Sequence, residues 1–474
     1  MPWFRTRSAH SRYAFPPGLE HNLLWYAVRK FRPHDPIRLF QQLAARFGDI
    51  AHYKLGPEHI LFLNHPDYIR EVLVVQNANF VKERTVQRTK LLLGEGMITA
   101  EGNRHRRQRV AAQPAFHRQR IRDYAGIMVE EALMERESWR ANTTIDVSQR
   151  MMNLALAIVS RTLFSTRLGT EALELTAAIN RIMELYHYLV LLPAIEVLVH
   201  LRAPKVGRFA EERGRLDVVV NRMIEEHRRT RTERRGRQDL LDMMIDSEEG
   251  SLDSDKRLRD QVITVFLAGY ETVANTLTWT WYLLSQNPHA EQRMQEELYE
   301  MLAHRAANVD DVSRLRYTEM VVAESMRLFP PAWAMGRRAI HEFQLGPYRL
   351  PARTTLLMSQ YVTHREERFF PEPLQFKPER WSDDAKSKLT RLAYFPFGAG
   401  ARQCIGESFA WMEALLVLAT LAQKWQLRLF PGQRVEPQPL ITLRPKYGMR
   451  MTVEPRASSA PSFGSNRLIQ SAGS

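Results

Sequence analysis

The chain has 474 residues, 44% of them apolar and 25% charged, so it reads as a globular protein able to bury a large core, neither disordered nor fibrous. A single cysteine excludes an internal disulfide, and any zinc site would have to be built from histidines and carboxylates. The formal charge of +14 calls for an anionic partner (nucleic acid, membrane surface or acidic protein), with the placement of the charge deciding among them.

In chain order, residues 1–15 are polar and basic and lack the apolar run of a secretory signal; they read as a flexible start. Pro16-Pro17-Gly18 marks the onset of order. Asp35 and Pro36 predict a capped helix running to Phe47, and the alternating runs Ala51 to Leu55 and Ile60 to Asn64 predict a hairpin. Gly102 to Arg122 begins as a helix, breaks at Pro114 and carries seven arginines with no acid: Arg104, Arg106, Arg107, Arg109, Arg118, Arg120 and Arg122. Thr144 to Phe164, Thr170 to Val199 and Ala203 to Arg229 are each long enough for a helix. Leu185 to Val199 is the most apolar window, but Pro193 and Glu196 interrupt it, so it is assigned as a core or lid helix and not as a membrane span. A second arginine cluster follows between Arg228 and Arg237.

Asp260 to Gln286 is a long apolar helix closed by Asn287-Pro288. Ala290 to His304 and Thr318 to Leu328 are amphipathic helices. Beyond Pro330-Pro331 come short strands, a meander rich in Pro and Phe, a last helix beginning near Cys404, and an extended run from Trp425 to Val453. Arg456 to Ser474 is rich in Ser, Gly and Ala and reads as a disordered tail. The expected fold is mainly α with small β-sheet regions, one domain over residues 16–455, placed in the cytoplasm.

Chemistry concentrates at the cysteine. Phe397-x-x-Gly400-x-Arg402-x-Cys404-x-Gly406 is a glycine-bearing loop that lets backbone approach a flat ligand, and the helix after it should favour thiolate. This loop resembles the heme-binding loop of cytochromes P-450 at every defining position. The resemblance implies that Cys404 is the axial ligand of the iron of heme b, in a triangular helical prism around the buried heme. It extends to Ala268-Gly269-Tyr270-Glu271-Thr272 on the long apolar helix. In that family such a segment crosses the distal face, and an acid–alcohol pair, here Glu271 and Thr272, relays protons to dioxygen. Ala268 and Gly269 would leave room for oxygen, and a distorted turn would free carbonyls to hold water.

The same resemblance assigns His105, Arg109, Arg337 and Arg402 to the heme propionates, with His105 standing where tryptophan is frequent and making that contact pH-sensitive. Phe397 and Gly406 join the heme contacts. It makes Glu324, Arg327 and Arg380 a structural ion triad. Arg353, in Pro351-Ala352-Arg353-Thr354, replaces the glycine the family usually has in that turn. The pocket would be walled by Val265, Phe266, Ala332, Trp333, Leu440 and Ile441, mostly apolar, as suits a lipophilic fatty acid, terpenoid or steroid. Arg84, Arg88 or Lys90 offer a carboxylate anchor at its mouth.

The implied reaction is oxygen insertion from dioxygen by a monomeric monooxygenase. No flavin or iron–sulfur motif is present, so an acidic ferredoxin or flavodoxin-like donor with an NAD(P)H-dependent reductase is expected to dock on the Arg104 to Arg122 cluster. Two other readings compete: a peroxide-driven peroxygenase, and a non-enzymatic heme-thiolate sensor. Glu271 and Thr272 speak against both. Specific nucleic-acid binding is not expected, because no stacking aromatics or DNA-reading motif accompany the arginines.

Overall fold

The carboxylate of Asp35 accepts the N–H groups of Ile37 (3.0 Å) and Arg38, and Pro36 fills the first turn, so helix α1 (Pro36–Phe47) starts where the sequence sets its cap. The protein was analysed as a computed structural model, which describes residues 12–20, 22, 35–167, 181–182, 204–230, 239–248 and 253–456. Helices α2 (Gly102–Ala112) and α3 (Arg118–Ser138) are separated by the 3-10 turn Gln113–Phe116, the break expected at Pro114. Then come α4 (Val147–Leu163), α5 (Pro204–Thr230), α6 (Leu240–Glu248), α7 (Ser254–Gln286), α8 (Pro288–Leu302), α9 (Arg316–Leu328) and, after the cysteine loop, α10 (Glu407–Ala422).

The expected helix from Thr144 splits. Thr144–Asp146 is a strand, and Asp146 caps α4 by accepting from Ser148 N–H at 2.9 Å. The two β-branched residues ahead of the cap favour the strand. Helix α7 begins at Ser254, ahead of the Asp260 start read from the sequence. The helix expected over Thr170 to Val199, including the apolar lid window, lies outside the described residues, as do residues 457–474. Residues 12–15, assigned to a flexible start, are held: Ala14 N–H donates to Arg349 O at 3.1 Å, and Phe15 stacks on His52 and His59.

Helix α7 is the axle of the molecule. Its buried residues face every side, among them Trp279 and Trp281, and Trp279 stacks on Phe329 with ring centroids 4.0 Å apart. It packs against α4, α9 and α10, so each large apolar side chain it buries contributes about 1.5–3 kcal/mol. Beside this helical body lies a five-stranded sheet in the order Ile50–Leu55, Glu58–Leu63, Thr355–Met358, Met335–Ala339, Phe80–Lys82. Its register sets Arg337 directly opposite Lys82. A second sheet joins Thr144–Asp146, Arg450–Pro455 and Trp425–Leu429.

Glu324 and Arg327, one turn apart on α9, are both fully buried and bonded twice at 2.8 Å. Arg380 Nε (3.2 Å), Trp381 Nε1 (3.0 Å) and Lys377 N–H (2.9 Å) converge on the same carboxylate. Arg327 also donates to the carbonyls of His364, Pro373 and Gln375. The expected ion triad is thus a closed hydrogen-bonded hub joining α9 to the meander.

Arg353 keeps the turn that glycine would make by adopting φ +67°, its N–H donating to Ala339 O at 2.9 Å. A side chain there costs about 1 kcal/mol. Arg353→Gly should therefore raise unfolding stability by about 1 kcal/mol in urea titrations; an unchanged midpoint would mean the turn holds no such strain.

Candidate functional site

The cysteine loop is closed by its own backbone. Gly398 N–H donates to Phe395 O (2.9 Å), Gln403 N–H to Gly400 O (3.0 Å) and Cys404 N–H to Phe397 O (3.0 Å). Gly400 sits at φ +71°, and a Cβ there would fall 2.0 Å from the Leu73 carbonyl oxygen, so only glycine lets the loop reach that neighbour. Behind the loop, Phe395 N–H donates to buried His364 Nε2 at 3.0 Å, and the Phe397 ring leans on Trp411. The Cys404 residue is exposed, while protein surrounds its thiol on nearly every side.

Helix α10 starts at Glu407 with Gly406 as its cap, so Cys404 lies two residues ahead of the cap. The sequence reading expected the helix end to lower the thiol pKa. Burial instead dominates and pushes it up, while the Gly406 N–H and Arg109 pull the other way. A coordinating metal ion reverses that balance by displacing the proton outright.

On α7, Ala268 is exposed between buried Leu267 and buried Tyr270, so this stretch of the helix also borders open space. The helix runs unbroken here, and Thr272 Oγ1 donates to Ala268 O at 2.8 Å. The carbonyl that a distorted turn was expected to free is thereby taken. Glu271 is buried, and its Oε1 accepts from Arg444 Nε at 2.7 Å and from Thr442 Oγ1.

Positive charge collects around one acid. Arg402 Nη2 pairs with Glu101, whose other oxygen accepts Lys82 N–H at 2.6 Å. Lys82 Nζ is buried and donates to Met97 O (2.9 Å) and Ala100 O (2.8 Å). Burial, followed by the Arg402 charge, lowers Lys82 to about 7 and Arg337 to about 10. His105 is lowered to about 4 by burial, then by Lys82 and Arg402. Its ring is therefore neutral through the physiological range, and the expected pH-sensitive contact would titrate well below it. Arg109 Nη1 donates to Gln403 O at 2.8 Å, tying α2 to the cysteine loop.

Arg402 Nη1 is buried without a hydrogen-bond partner among the described residues. A buried Arg402 donor left over beside the half-buried Arg337 suits an anionic ligand, and a cysteine thiol suits a soft metal. The two propionates and the iron of heme b fit this set.

Of the expected pocket residues, Val265, Ala332, Trp333 and Leu440 are half-buried and Ile441 is exposed. Phe266 is 2% exposed and stacks on Phe164 at 4.3 Å, so it packs in the core and lines no open space. Trp333 Nε1 donates to Leu440 O at 2.9 Å, leaving the indole only its apolar face to offer. Sequence reasoning missed Glu101 and Arg444, and it placed Lys82 and Thr442 only within pocket-wall segments, without the bonds they make here. Glu101, an acid just ahead of the arginine helix, carried a faint signal; the others sit in short strand-like runs with none.

The family model for cytochrome P450 matches residues 16–452. Cyclooctatin synthase of Streptomyces melanosporofaciens is 37% identical over 468 residues, covering 96% of this chain and 99% of its own. Cyclooctat-9-en-7-ol 5-monooxygenase from the same organism is 34% identical over 84% of this chain and 86% of its own. Pentalenene oxygenase of Streptomyces avermitilis is 33% identical over 91% and 94%.

Gly400→Ala should lower stability by about 2 kcal/mol or more, since it adds both a clash and a disfavoured φ. Thermal unfolding measures it; a midpoint equal to that of the parent protein would mean the loop can withdraw from Leu73.

Proposed function

Because the chain belongs to the cytochrome P450 family, whose members are heme b oxidoreductases, we propose that this monooxygenase hydroxylates or epoxidises a cyclic terpenoid. The balance is RH + O2 + 2 e⁻ + 2 H⁺ → ROH + H2O for a hydroxylation. Heme b, when bound, supplies the activation of dioxygen. Cys404 would hold its iron, and His105, Arg109, Arg337 and Arg402 its propionates. Glu101 holds Arg402 in place and is itself held by the Lys82 N–H. Thr272 and Glu271 would move the two protons, and Ala268 gives the small face on which oxygen and substrate meet.

The observation that carries the substrate class is near full-length similarity to proteins named for cyclooctat-9-en-7-ol and pentalenene. The charges at the pocket mouth agree with it. Arg84 pairs with Glu58 at 3.0 Å and Lys90 with Glu95 at 2.9 Å, so neither stands ready for a fatty-acid carboxylate. The accessible walls at Val265, Trp333 and Ile441 are apolar, as a polycyclic hydrocarbon requires.

Electrons come from an acidic ferredoxin or flavodoxin-like donor with its NAD(P)H-dependent reductase. Arg106, Arg107 and Arg118 are exposed on the α2–α3 face, which Arg109 fixes to the cysteine loop, whereas Arg104 and Arg122 are engaged by Glu95 and Asp310. Among the described residues no helix is long and apolar enough to cross a membrane. We place the enzyme in the cytoplasm as a monomeric single domain over residues 16–455.

Optical titration of the ferric protein tests the substrate class. Cyclic terpenes and their mono-alcohols should move the Soret band saturably to shorter wavelength, and fatty acids should not. A shift with fatty acids alone would overturn the terpenoid assignment; silence toward everything, azoles included, would favour a sensor. The docking face is tested by Arg106→Glu with Arg107→Glu, which should slow reduction by an acidic ferredoxin about tenfold or more at low salt, with the difference shrinking as salt rises. An unchanged rate places the donor elsewhere.

A further inference from the structure

Helix α7 is apolar along most of its length, yet Glu271, Asn275 and Trp279, spaced four apart on one stripe, all reach the same short segment, Thr442 to Arg444. Trp279 Nε1 donates to Leu443 O at 3.0 Å and Asn275 Nδ2 to Thr442 Oγ1 at 3.0 Å. Thr442 Oγ1 and Arg444 Nε then both donate to Glu271 Oε1, the latter at 2.7 Å. All of these groups are buried or nearly so.

Asn275 and Trp279, helped by Leu443 N–H donating to Pro331 O at 3.0 Å, are sufficient to attach this segment to the helix. The Arg444–Glu271 pair is not needed for attachment, and it brings a charge into the core at a cost in desolvation. Just before Thr442 come Leu440, whose carbonyl holds Trp333, and the exposed Ile441. The acid beside Thr272 is thus fastened to the segment that continues from the Leu440–Ile441 wall.

We propose that Thr442 and Arg444 are the positioning residues of the proton relay, gripping Glu271 by one oxygen so that the pose of the acid follows the pose of the Leu440–Ile441 wall. This rests on the monooxygenase reading above and deepens it: substrate seated against the wall sets the acid in its working position, and proton supply is matched to the presence of substrate. With the grip removed, the same two electrons and two protons are diverted to O2 + 2 e⁻ + 2 H⁺ → H2O2.

The test compares Arg444→Gln, Arg444→Lys, Glu271→Gln and the Glu271→Gln/Arg444→Gln pair. In thermal unfolding, Arg444→Gln should lower the midpoint and the double variant should regain at least half of the loss, because the buried acid no longer faces a missing cation. In turnover with ferredoxin, reductase and a terpene that gives a Soret shift, Arg444→Gln should lower product per NADH at least about fivefold with matching peroxide, a loss within what proton-transfer groups contribute. It should also raise the solvent deuterium isotope effect on kcat and leave the terpene dissociation constant within about twofold of the parent, with Arg444→Lys recovering most of the yield.

Additive stability effects, or an unchanged product yield and isotope effect in Arg444→Gln, would overturn the proposal. So would a yield that falls only in step with terpene affinity, since Arg444 would then merely shape the pocket. Should the parent protein oxidise no substrate at all, the monooxygenase reading fails, whereas the unfolding cycle still decides whether the pair is coupled.

Discussion

Glu324 has no exposed surface, yet its carboxylate collects Arg327, Arg380, the Trp381 indole and the Lys377 backbone. Removing one member of such a buried set leaves the others uncompensated, at about 3–5 kcal/mol. The geometry of the cysteine loop descends from it by two routes. Arg327 holds the His364 carbonyl, and His364 in turn receives Phe395 N–H at the entrance of the loop. Trp381 packs at 4.3 Å on Tyr394, whose hydroxyl returns to Ala323 on the same helix as Glu324. The hub thus fixes both flanks of the segment that leads into the cysteine loop.

The Glu101 cluster differs in how its donors are spent. Around Glu324 two guanidiniums share one carboxylate and send their other N–H groups to backbone carbonyls. Around Glu101 the Nη1 of Arg402 is buried with no partner among the described residues, and burial together with mutual repulsion depresses Lys82, His105 and Arg337. The first arrangement is complete in itself, as a scaffold must be. The second is complementary to a ligand that brings two negative charges, and its strain is resolved when those charges arrive.

Much of this was legible in the chain because the informative signals are local. Asp35-Pro36, Asn287-Pro288 and Pro114 mark helix boundaries through capping and the missing proline N–H, and the structure ends its helices at or beside them. The cysteine loop was legible because Phe397, Gly400, Arg402, Cys404 and Gly406 together resemble a known family's loop, which none of them would signal alone. Thr144 was misplaced, since a short strand ahead of a capped helix has the same apolar content as another helical turn. Phe266 was misassigned to the pocket because a helix face can be told from a sequence only to within a residue or so, and its stacking on Phe164 is a tertiary fact. The bonds of Lys82, Thr442 and Arg444 were missed for the same reason: each meets its partner more than a dozen residues away, across a strand register or a helix stripe that no local pattern encodes.

Ala268 shows where the frame ends and the site begins. It is the one exposed residue between Arg257 and Ser285 of α7, so its side chain borders open space where its neighbours on the helix are buried or half-buried. A larger side chain there would leave the hub and the cation cluster untouched and crowd the site alone. A methyl at Gly269 would instead meet Val159 at 3.0 Å and press on the packing of two helices. Two neighbouring residues are thus kept small for different reasons, one by the site and the other by the frame.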